Sequence, residues 1–268
     1  MSTTSRYTHG HAPSVLRSHR TRTAENSAAH LLASLRPGQS LLDVGSGPGT
    51  LTVDLAARVA PGRVSALETS QAALELTLAE ADRRGCRTID GLVGDVHALE
   101  LATGSFDVVH AHQVLQHLPD PVRALREMLR VCRPGGVVAV RDADYAGFTW
   151  YPHSAGLERW HELYQAAARA NGGEPNAGRR LLAWAHAAGA TDVTASSSTW
   201  CYADPASRAE WGGMWAERIT GSAIAGQLVD SGLATNDDLD EVARAWRQWA
   251  DDPDGWLSVP HGELLVRG

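Results

Sequence analysis

The sequence predicts an α/β protein with a doubly wound, mostly parallel sheet and a helical cap. Three observations carry this prediction. Short apolar runs alternate with helical patterns over residues 41–140. Glycines stand at every second position, Gly45, Gly47 and Gly49, between the first run and the first of these helices. With 268 residues, 43% of them hydrophobic, the chain is long enough to bury one full core.

The stretch LLDVGSGPGT, residues 41–50, joins the first predicted strand to a helix over 51–59 through a glycine turn. Glycine tolerates positive φ and has no Cβ, so a ligand can approach the backbone there. A dinucleotide loop would place a third glycine where Thr50 stands, which weakens the nicotinamide interpretation. A Walker-type phosphate loop is excluded because the sequence contains no lysine. The pattern therefore predicts a ligand loop at the carboxyl end of the first strand.

The next predicted strand ends in an acid, Glu68. This residue lies about twenty positions past the first glycine, where a carboxylate can accept hydrogen bonds from both hydroxyls of a ribose. An alternative role is to stabilise the N-terminus of the following helix. Asp90 and Gly91 weaken the third strand, and after it Asp95 can accept from an exocyclic amine while Val96 covers a ring face. We predict strands over 63–68, 88–93, 106–110 and 137–140, and helices over 71–84 and 119–130.

The second half of the chain holds all nine tryptophans. Most should be core residues of additional helices, and some should line a pocket. Here we predict helices over 177–188, 204–225 and 236–250, a sixth strand over 192–202, and a last strand over 257–266.

Composition narrows the range of partners. The formal net charge of −7 gives no general attraction to nucleic acid or to an anionic membrane, so a small-molecule substrate is favoured. Cys86, Cys132 and Cys201 are odd in number and widely spaced, which favours reduced thiols and no metal site. The chain shows no apolar run of membrane-spanning length and no signal peptide, which predicts a cytoplasmic protein. A homodimer is one possible oligomeric state.

The N-terminal 36 residues are rich in histidine and arginine. Apolar residues at helical spacing from Thr23 to Leu35 predict a helix before the first strand, ended by Pro37 and Gly38. That helix can place the preceding arm, with His9 and His11, across the mouth of the site. The alternative is a solvated basic tail.

Five motifs occur in the order and spacing of a known family over residues 38–142: LLDVGSGPGT, the acid in RVSALETS, GDVHALE, FDVVHAHQVLQHLPDP and LRVCRPGGVVAV. With them the chain resembles the class I S-adenosylmethionine-dependent methyltransferases. Its N-terminal YTHGHAPSVLRSHRTRTAENSAAHLL is similar to the ubiquinone/menaquinone-biosynthesis-like subgroup (methyltransferase type 11). The resemblance implies a helical arm over 1–36 that closes over the site, a cofactor-binding core over 37–142, and a remainder over 143–268. This remainder should complete a seven-stranded, Rossmann-like sheet with an antiparallel last strand and form a substrate cap.

The resemblance implies S-adenosyl-L-methionine as cofactor. The glycines should meet its methionine part, the acid after the second strand its ribose, and the residues after the third strand its adenine. The implied cofactor site consists of Asp43, Gly45, Gly47, Gly49, Glu68, Thr69, Asp95, Val96 and His110.

The implied function is methyl transfer to an oxygen, nitrogen or carbon atom of a small, partly apolar metabolite. An alternative is a protein of the same fold that binds the cofactor without methyl transfer, either cyclase-like or regulatory. A nicotinamide oxidoreductase is the third interpretation.

A catalytic base is predicted among the histidines, because transfer to oxygen or nitrogen leaves a proton to be removed and histidine titrates near neutral pH. His112 and His117 follow the fourth strand, at the edge where the resemblance puts the acceptor, and His11 lies on the arm. We rank His112 first and His11 second. The alternative is that His117 packs the turn before Pro119 and that the arm histidines are solvated.

Overall fold

The computed structural model describes residue 19 and residues 21–268. Eight strands form one sheet in the order β3-β2-β1-β4-β5-β8-β6, and β7 also pairs with β8. The first five strands are parallel, and β8 runs antiparallel to β5, β6 and β7. This confirms the predicted fold class. The strands are β1 Leu41–Val44, β2 Val64–Glu68, β3 Ile89–Val93, β4 Phe106–His112, β5 Cys132–Ala143, β6 Thr149–Tyr151, β7 Asp192–Tyr202 and β8 Trp256–Arg267.

Helices cover both faces of the sheet and build the cap. Several begin at the capping residues expected for helix starts: Ser70 Oγ accepts from the Ala73 N–H at 3.3 Å, and Asp120 Oδ1 accepts from the Arg123 N–H at 2.9 Å. The helices are α1 Ala24–Ser27, α2 Ala29–Leu32, α3 Thr50–Val59, α4 Gln71–Arg83, α5 Pro121–Val131, α6 Ala155–Ala170, α7 Leu181–Ala188, α8 Pro205–Gly221, α9 Ala223–Asp230 and α10 Asn236–Asp251.

Four predicted helices differ from those observed. The helix predicted over 177–188 begins at Leu181, after a 3-10 turn over Gly178–Arg180. The helix before β1 is two short helices, because Ala28 leaves the helical region with φ −138° and ψ 23°. The helix predicted over 204–225 is α8 and α9, interrupted at Ser222, whose backbone is extended. The helix predicted from residue 119 begins at Pro121, because Asp120 is its N-cap.

Three strands also differ from the prediction. β5 begins at Cys132, not at Val137, because the glycine-rich stretch before Val137 is taken into the strand through a register shift opposite β4. β6 was not predicted, so the sheet has eight strands and the strand predicted as the sixth is the seventh. β4 extends beyond its predicted end to His112.

The core has three parts. One lies on each face of the sheet, and the third lies inside the cap, where Trp160, Trp215 and Trp246 are fully buried. The ring centroid of Trp160 is 4.7 Å from that of Trp215 and 4.8 Å from that of Trp246. These contacts confirm the prediction of tryptophans as core residues of the added helices. Among the described residues, no helix combines the length and the apolar character needed to cross a bilayer.

Candidate active site

The glycine loop between β1 and α3 has the backbone that its sequence predicts. Gly45, Gly47 and Gly49 have φ values of +70°, +59° and +84°. A Cβ on Gly45 would lie 2.6 Å from Cγ2 of Val114, and a Cβ on Gly49 would lie 2.8 Å from Cα of Thr77. A Cβ on Gly47 would meet no atom within 4 Å. Packing therefore requires glycine at the outer two positions and leaves the space beside Gly47 open to a ligand.

Asp43 holds the base of this loop. Its Oδ2 accepts a hydrogen bond from Thr52 Oγ1 at 2.6 Å, and its Oδ1 is 2.8 Å from Nδ1 of His110. These contacts join β1 to α3 and to β4. Because Asp43 and His110 are both buried, His110 lies behind the carboxylate and fixes its orientation.

Glu68 reaches from the end of β2 to the glycine loop. Its Oε1 accepts from the Gly47 N–H at 2.6 Å, and its Oε2 lies 3.4 Å from the Thr69 nitrogen. The N-cap of α4 is Ser70, so Glu68 is not needed to cap that helix. The carboxylate thus lies beside the open position of the loop, where the ribose was predicted.

Asp95 follows β3 and stabilises its own turn. Its Oδ1 accepts from the His97 N–H at 2.9 Å and lies 2.7 Å from His97 Nδ1. The Asp95 side chain is two-thirds exposed, at 67%, which leaves its second oxygen accessible to a ligand. Val96 is buried next to it.

His112 is the last residue of β4 and pairs in register with Arg141 of β5. It is buried, and neither ring nitrogen has a hydrogen-bond partner within residues 21–268. The centroid of its ring lies 5.7 Å from that of Trp200 and 6.1 Å from that of His261. Burial, reinforced by the charges of Arg22 and Arg141, lowers the pKa of His112 well below its ordinary value. The imidazole is therefore neutral at pH 7, with a lone pair to accept a proton.

His117 lies in the turn before Pro119. Its Nε2 is 3.0 Å from Nε2 of Gln116, and its backbone packs against Gly173. Burial lowers the pKa of His117 to about 3. This placement agrees with the packing alternative for His117. His9 and His11 lie outside the described residues.

Comparison with known proteins decides the family. Residues 42–140 match the family model described as a methyltransferase domain. An uncharacterized methyltransferase of Schizosaccharomyces pombe is 34% identical over 276 residues, covering 97% of this chain and 96% of that protein. The chain belongs to the class I S-adenosylmethionine-dependent methyltransferases. It is an enzyme whose cofactor is S-adenosylmethionine.

A further relative supports the subgroup, and a solved structure supports the fold. The ubiquinone/menaquinone biosynthesis C-methyltransferase UbiE of Ruegeria sp. (strain TM1040) is 32% identical over 131 residues, covering 48% of this chain and 50% of that protein. The predicted subgroup is thereby confirmed. The [4+2]-cyclase SpnF is 21% identical with a TM-score of 0.53, covering 93% of this chain and 80% of that structure, and shares the methyltransferase fold.

Beside His112, the methyltransferase has a buried arginine that sequence reasoning did not select. Arg141 is 1% exposed, and its Nε donates to Ser198 Oγ at 3.0 Å and to Glu263 Oε1 at 3.2 Å. Its guanidinium carbon lies 4.9 Å from the ring centroid of Trp200. The signal in the sequence is an arginine directly after the apolar run Val137–Val140, at the carboxyl end of a predicted strand.

Gln113, directly after β4, was also missed. It has φ +54°, rare for a residue with a side chain, and such strain occurs preferentially at functional sites. Its Oε1 accepts from Arg22, and its Nε2 donates to His261 Nε2 at 2.8 Å. His261 Nδ1 in turn donates to the Val259 carbonyl at 2.9 Å. This chain of hydrogen bonds joins the N-terminal segment, β4 and β8 of the methyltransferase beside His112.

An aromatic cleft of about 320 Å³ opens next to these residues, a volume suited to a small ligand. In its wall, Tyr202 stacks on Trp211 with ring centroids 4.3 Å apart. The prediction that some tryptophans line a pocket is confirmed at Trp200 and Trp211. Other residues of the lining are Arg22, Glu210 and Met214. Within the described part of the chain, no group of three histidine, cysteine or acidic residues is placed to hold a metal ion.

Proposed function

We propose that this methyltransferase transfers the methyl group of S-adenosylmethionine to a small, partly apolar metabolite. The acceptor would bind between the carboxyl ends of β4 and β5 and the aromatic cleft of the cap. One observation carries the proposal: His112 and Arg141, buried side by side at that edge, have polar atoms without a partner in residues 21–268 and face a tryptophan of the cleft. Buried polar groups left unpaired are costly, so two of them side by side at the carboxyl ends of neighbouring strands support a ligand site there.

The cofactor side of the proposal uses the predicted residues. The backbone at Gly47, with Gly45 and Gly49 shaping the loop, would receive the methionine part, and Glu68 and Thr69 the ribose. Asp95 and Val96 would receive the adenine. Asp43, with His110 behind it, would keep the loop in place and face the ammonium group. S-adenosylmethionine, when bound, supplies an electrophilic methyl group together with its own leaving group.

The chain's own task is then to align the acceptor, exclude water and remove a proton. The burial of His112 excludes water from the acceptor side. When the acceptor atom is oxygen or nitrogen, a ring nitrogen of His112 would take its proton. The low pKa of this histidine keeps the nitrogen unprotonated before the acceptor binds. His11 is a second candidate for this role, and His117, in its packed turn, is the third.

The N-terminal segment is proposed to close the site. In its described part, Arg22 donates to Gln113, and the Asn26 carbonyl accepts from Trp200 Nε1 at 2.7 Å. These contacts tie the segment to the site and to β7 of the cap. The division into an arm over 1–36, a core over 37–142 and a cap over 143–268 belongs to this proposal.

The test is release of S-adenosylhomocysteine from the purified protein in the presence of a metabolite library, with mass spectrometry to find the methylated product. One acceptor with saturable turnover supports methyl transfer and names the acceptor atom. Tight cofactor binding without release with any acceptor would favour the alternative of a binding protein or cyclase-like protein. We also propose that the acceptor is neither nucleic acid nor membrane lipid, given the net charge of −7, and that the protein is cytoplasmic. A homodimer would show as twice the chain mass in light scattering.

A further inference from the structure

Arg141 has N–H donors for which residues 21–268 supply no acceptor. Its side chain is 1% exposed, yet only Nε has partners, Ser198 and Glu263. Nη1 and Nη2 are buried and have no hydrogen-bond partner within residues 21–268. A guanidinium presents its N–H groups as a planar fork, and a carboxylate can accept two of them in parallel. The unfilled edge of Arg141 therefore matches an anionic oxygen group.

The nearby carboxylate does not fill that edge. Glu263 Oε1 contacts Nε of Arg141, and its oxygens also accept from Ser198 and, at 2.8 Å, from Ser196. Asp142, the next residue along β5, points to the opposite face of the sheet, where its Oδ1 accepts from the Gln116 N–H at 3.0 Å. Burial lowers the pKa of Arg141 only to about 10, so the guanidinium is charged at neutral pH. Nη1 and Nη2 are therefore buried, positively charged donors without an acceptor in residues 21–268.

Trp200 connects this edge to the aromatic cleft. The tryptophan lies under the Arg141 guanidinium, its ring also faces His112, and it forms part of the cleft wall with Tyr202 and Trp211. A planar apolar group on that wall would direct a substituent inward to Arg141. The cleft lining also holds one positive and one negative side chain, Arg22 and Glu210, so Arg141 supplies the unbalanced positive charge next to it.

We infer that the acceptor is an organic acid whose carboxylate binds Arg141 and whose apolar body lies against the aromatic wall of the cleft. This inference rests on the proposed function, since it names the substrate class of the same site. His112, beside the guanidinium, then lies close to the part of the acid next to its carboxylate.

The test compares an acid with its neutral isostere. The full chain is titrated by calorimetry with 2-naphthoate and with 2-naphthamide, both with and without saturating S-adenosylhomocysteine. The parent protein should bind naphthoate at least about tenfold more tightly, in line with 1.5–3 kcal/mol for a charged hydrogen-bonded pair. Arg141→Gln should lose this preference by weakening naphthoate alone, whereas Arg63→Gln, on an exposed arginine paired with Asp90, should retain it.

Because Arg141→Gln leaves Glu263 buried beside a neutral side chain, the double variant Arg141→Gln/Glu263→Gln is titrated as well. It removes both charges and should also bind acid and amide equally. The inference is overturned by equal affinities in the parent, by no naphthoate binding up to about 10 mM, or by a preference for naphthoate that survives in Arg141→Gln or in the double variant. Failure of S-adenosylhomocysteine to bind would instead count against the proposed function, because the comparison of acid and amide is also made without it.

Discussion

Replacing Gly47 by alanine should weaken cofactor binding while costing the fold no more than the same replacement at Gly85. Both glycines have positive φ, +59° and +67°, and at neither would a Cβ lie within 4 Å of another atom. They lie at opposite ends of the parallel strands, because Gly47 follows the carboxyl end of β1, whereas Gly85 follows α4 and precedes β3. Gly85 is thus a matched control for backbone strain alone.

The magnitudes follow from this comparison. A side chain in the left-handed region costs about 1–2 kcal/mol, so both variants should lose that much stability toward unfolding. At Gly47 the added methyl would also occupy the space assigned to the cofactor. Overpacking of this kind costs about 1–3 kcal/mol, which corresponds to about a 5- to 150-fold rise in the dissociation constant.

The assay is calorimetric titration of S-adenosylhomocysteine into both variants, with urea denaturation of each. Gly85→Ala should bind as the parent does. If Gly47→Ala also binds with the parent affinity, the cofactor does not lie on this loop. If its stability loss greatly exceeds that of Gly85→Ala, the space beside Gly47 is not open in the folded protein.

Three further predictions concern Glu68, His112 and Asp142. Glu68→Gln should weaken cofactor binding by about 1–3 kcal/mol. Asp90→Asn, on an exposed acid, should leave cofactor affinity unchanged. If calorimetry gives the two variants equal affinities, Glu68 does not bind the ribose. His112→Gln should lower turnover of an identified acceptor by about 10²-fold and leave cofactor affinity unchanged. If the rate and its pH profile are unaltered, methyl transfer proceeds by positioning of the acceptor, without His112 as a base. Burial raises the pKa of Asp142 from 3.8 in the unfolded chain to about 7 in the folded protein. Its contribution to the free energy of unfolding is therefore full below the unfolded-state pKa and is lost as pH rises through the folded-state pKa. Asp142→Asn should therefore raise the thermal unfolding midpoint more at about pH 8 than at about pH 5, and a pH-independent difference would contradict the buried charge.

The cofactor half could be predicted because its signals are local. Gly45, Gly47 and Gly49 carry their positive φ within a single turn, and Glu68 ends the strand that pairs beside it. Local signals also explain the errors. Pro134, Gly135 and Gly136, directly before Val137, indicate a turn, but pairing with β4 brings them into β5 as an irregular part of the strand.

The acceptor half could not be predicted in the same way. Arg141 and Glu263 are 122 residues apart and meet only because β8 pairs with β5. No periodic pattern states which strands become neighbours. The burial of Arg141 depends on the pairing of β5 with β8, and so do the partners that its Nη groups lack in residues 21–268. The same holds for Trp200 beside His112, which β7 brings there through its own pairing with β8.

The position of β8 also bears on how the protein is made. β8 provides hydrogen-bond partners for β5, β6 and β7, yet it is synthesised after the other seven strands of the sheet. Until then β5 has an open edge, and unpaired edges invite pairing with other chains. The early strands can assemble around a local βα framework, while closure of the sheet waits for a contact of long sequence separation. Chaperone demand during synthesis should therefore centre on the open edge of β5 until β8 has been made.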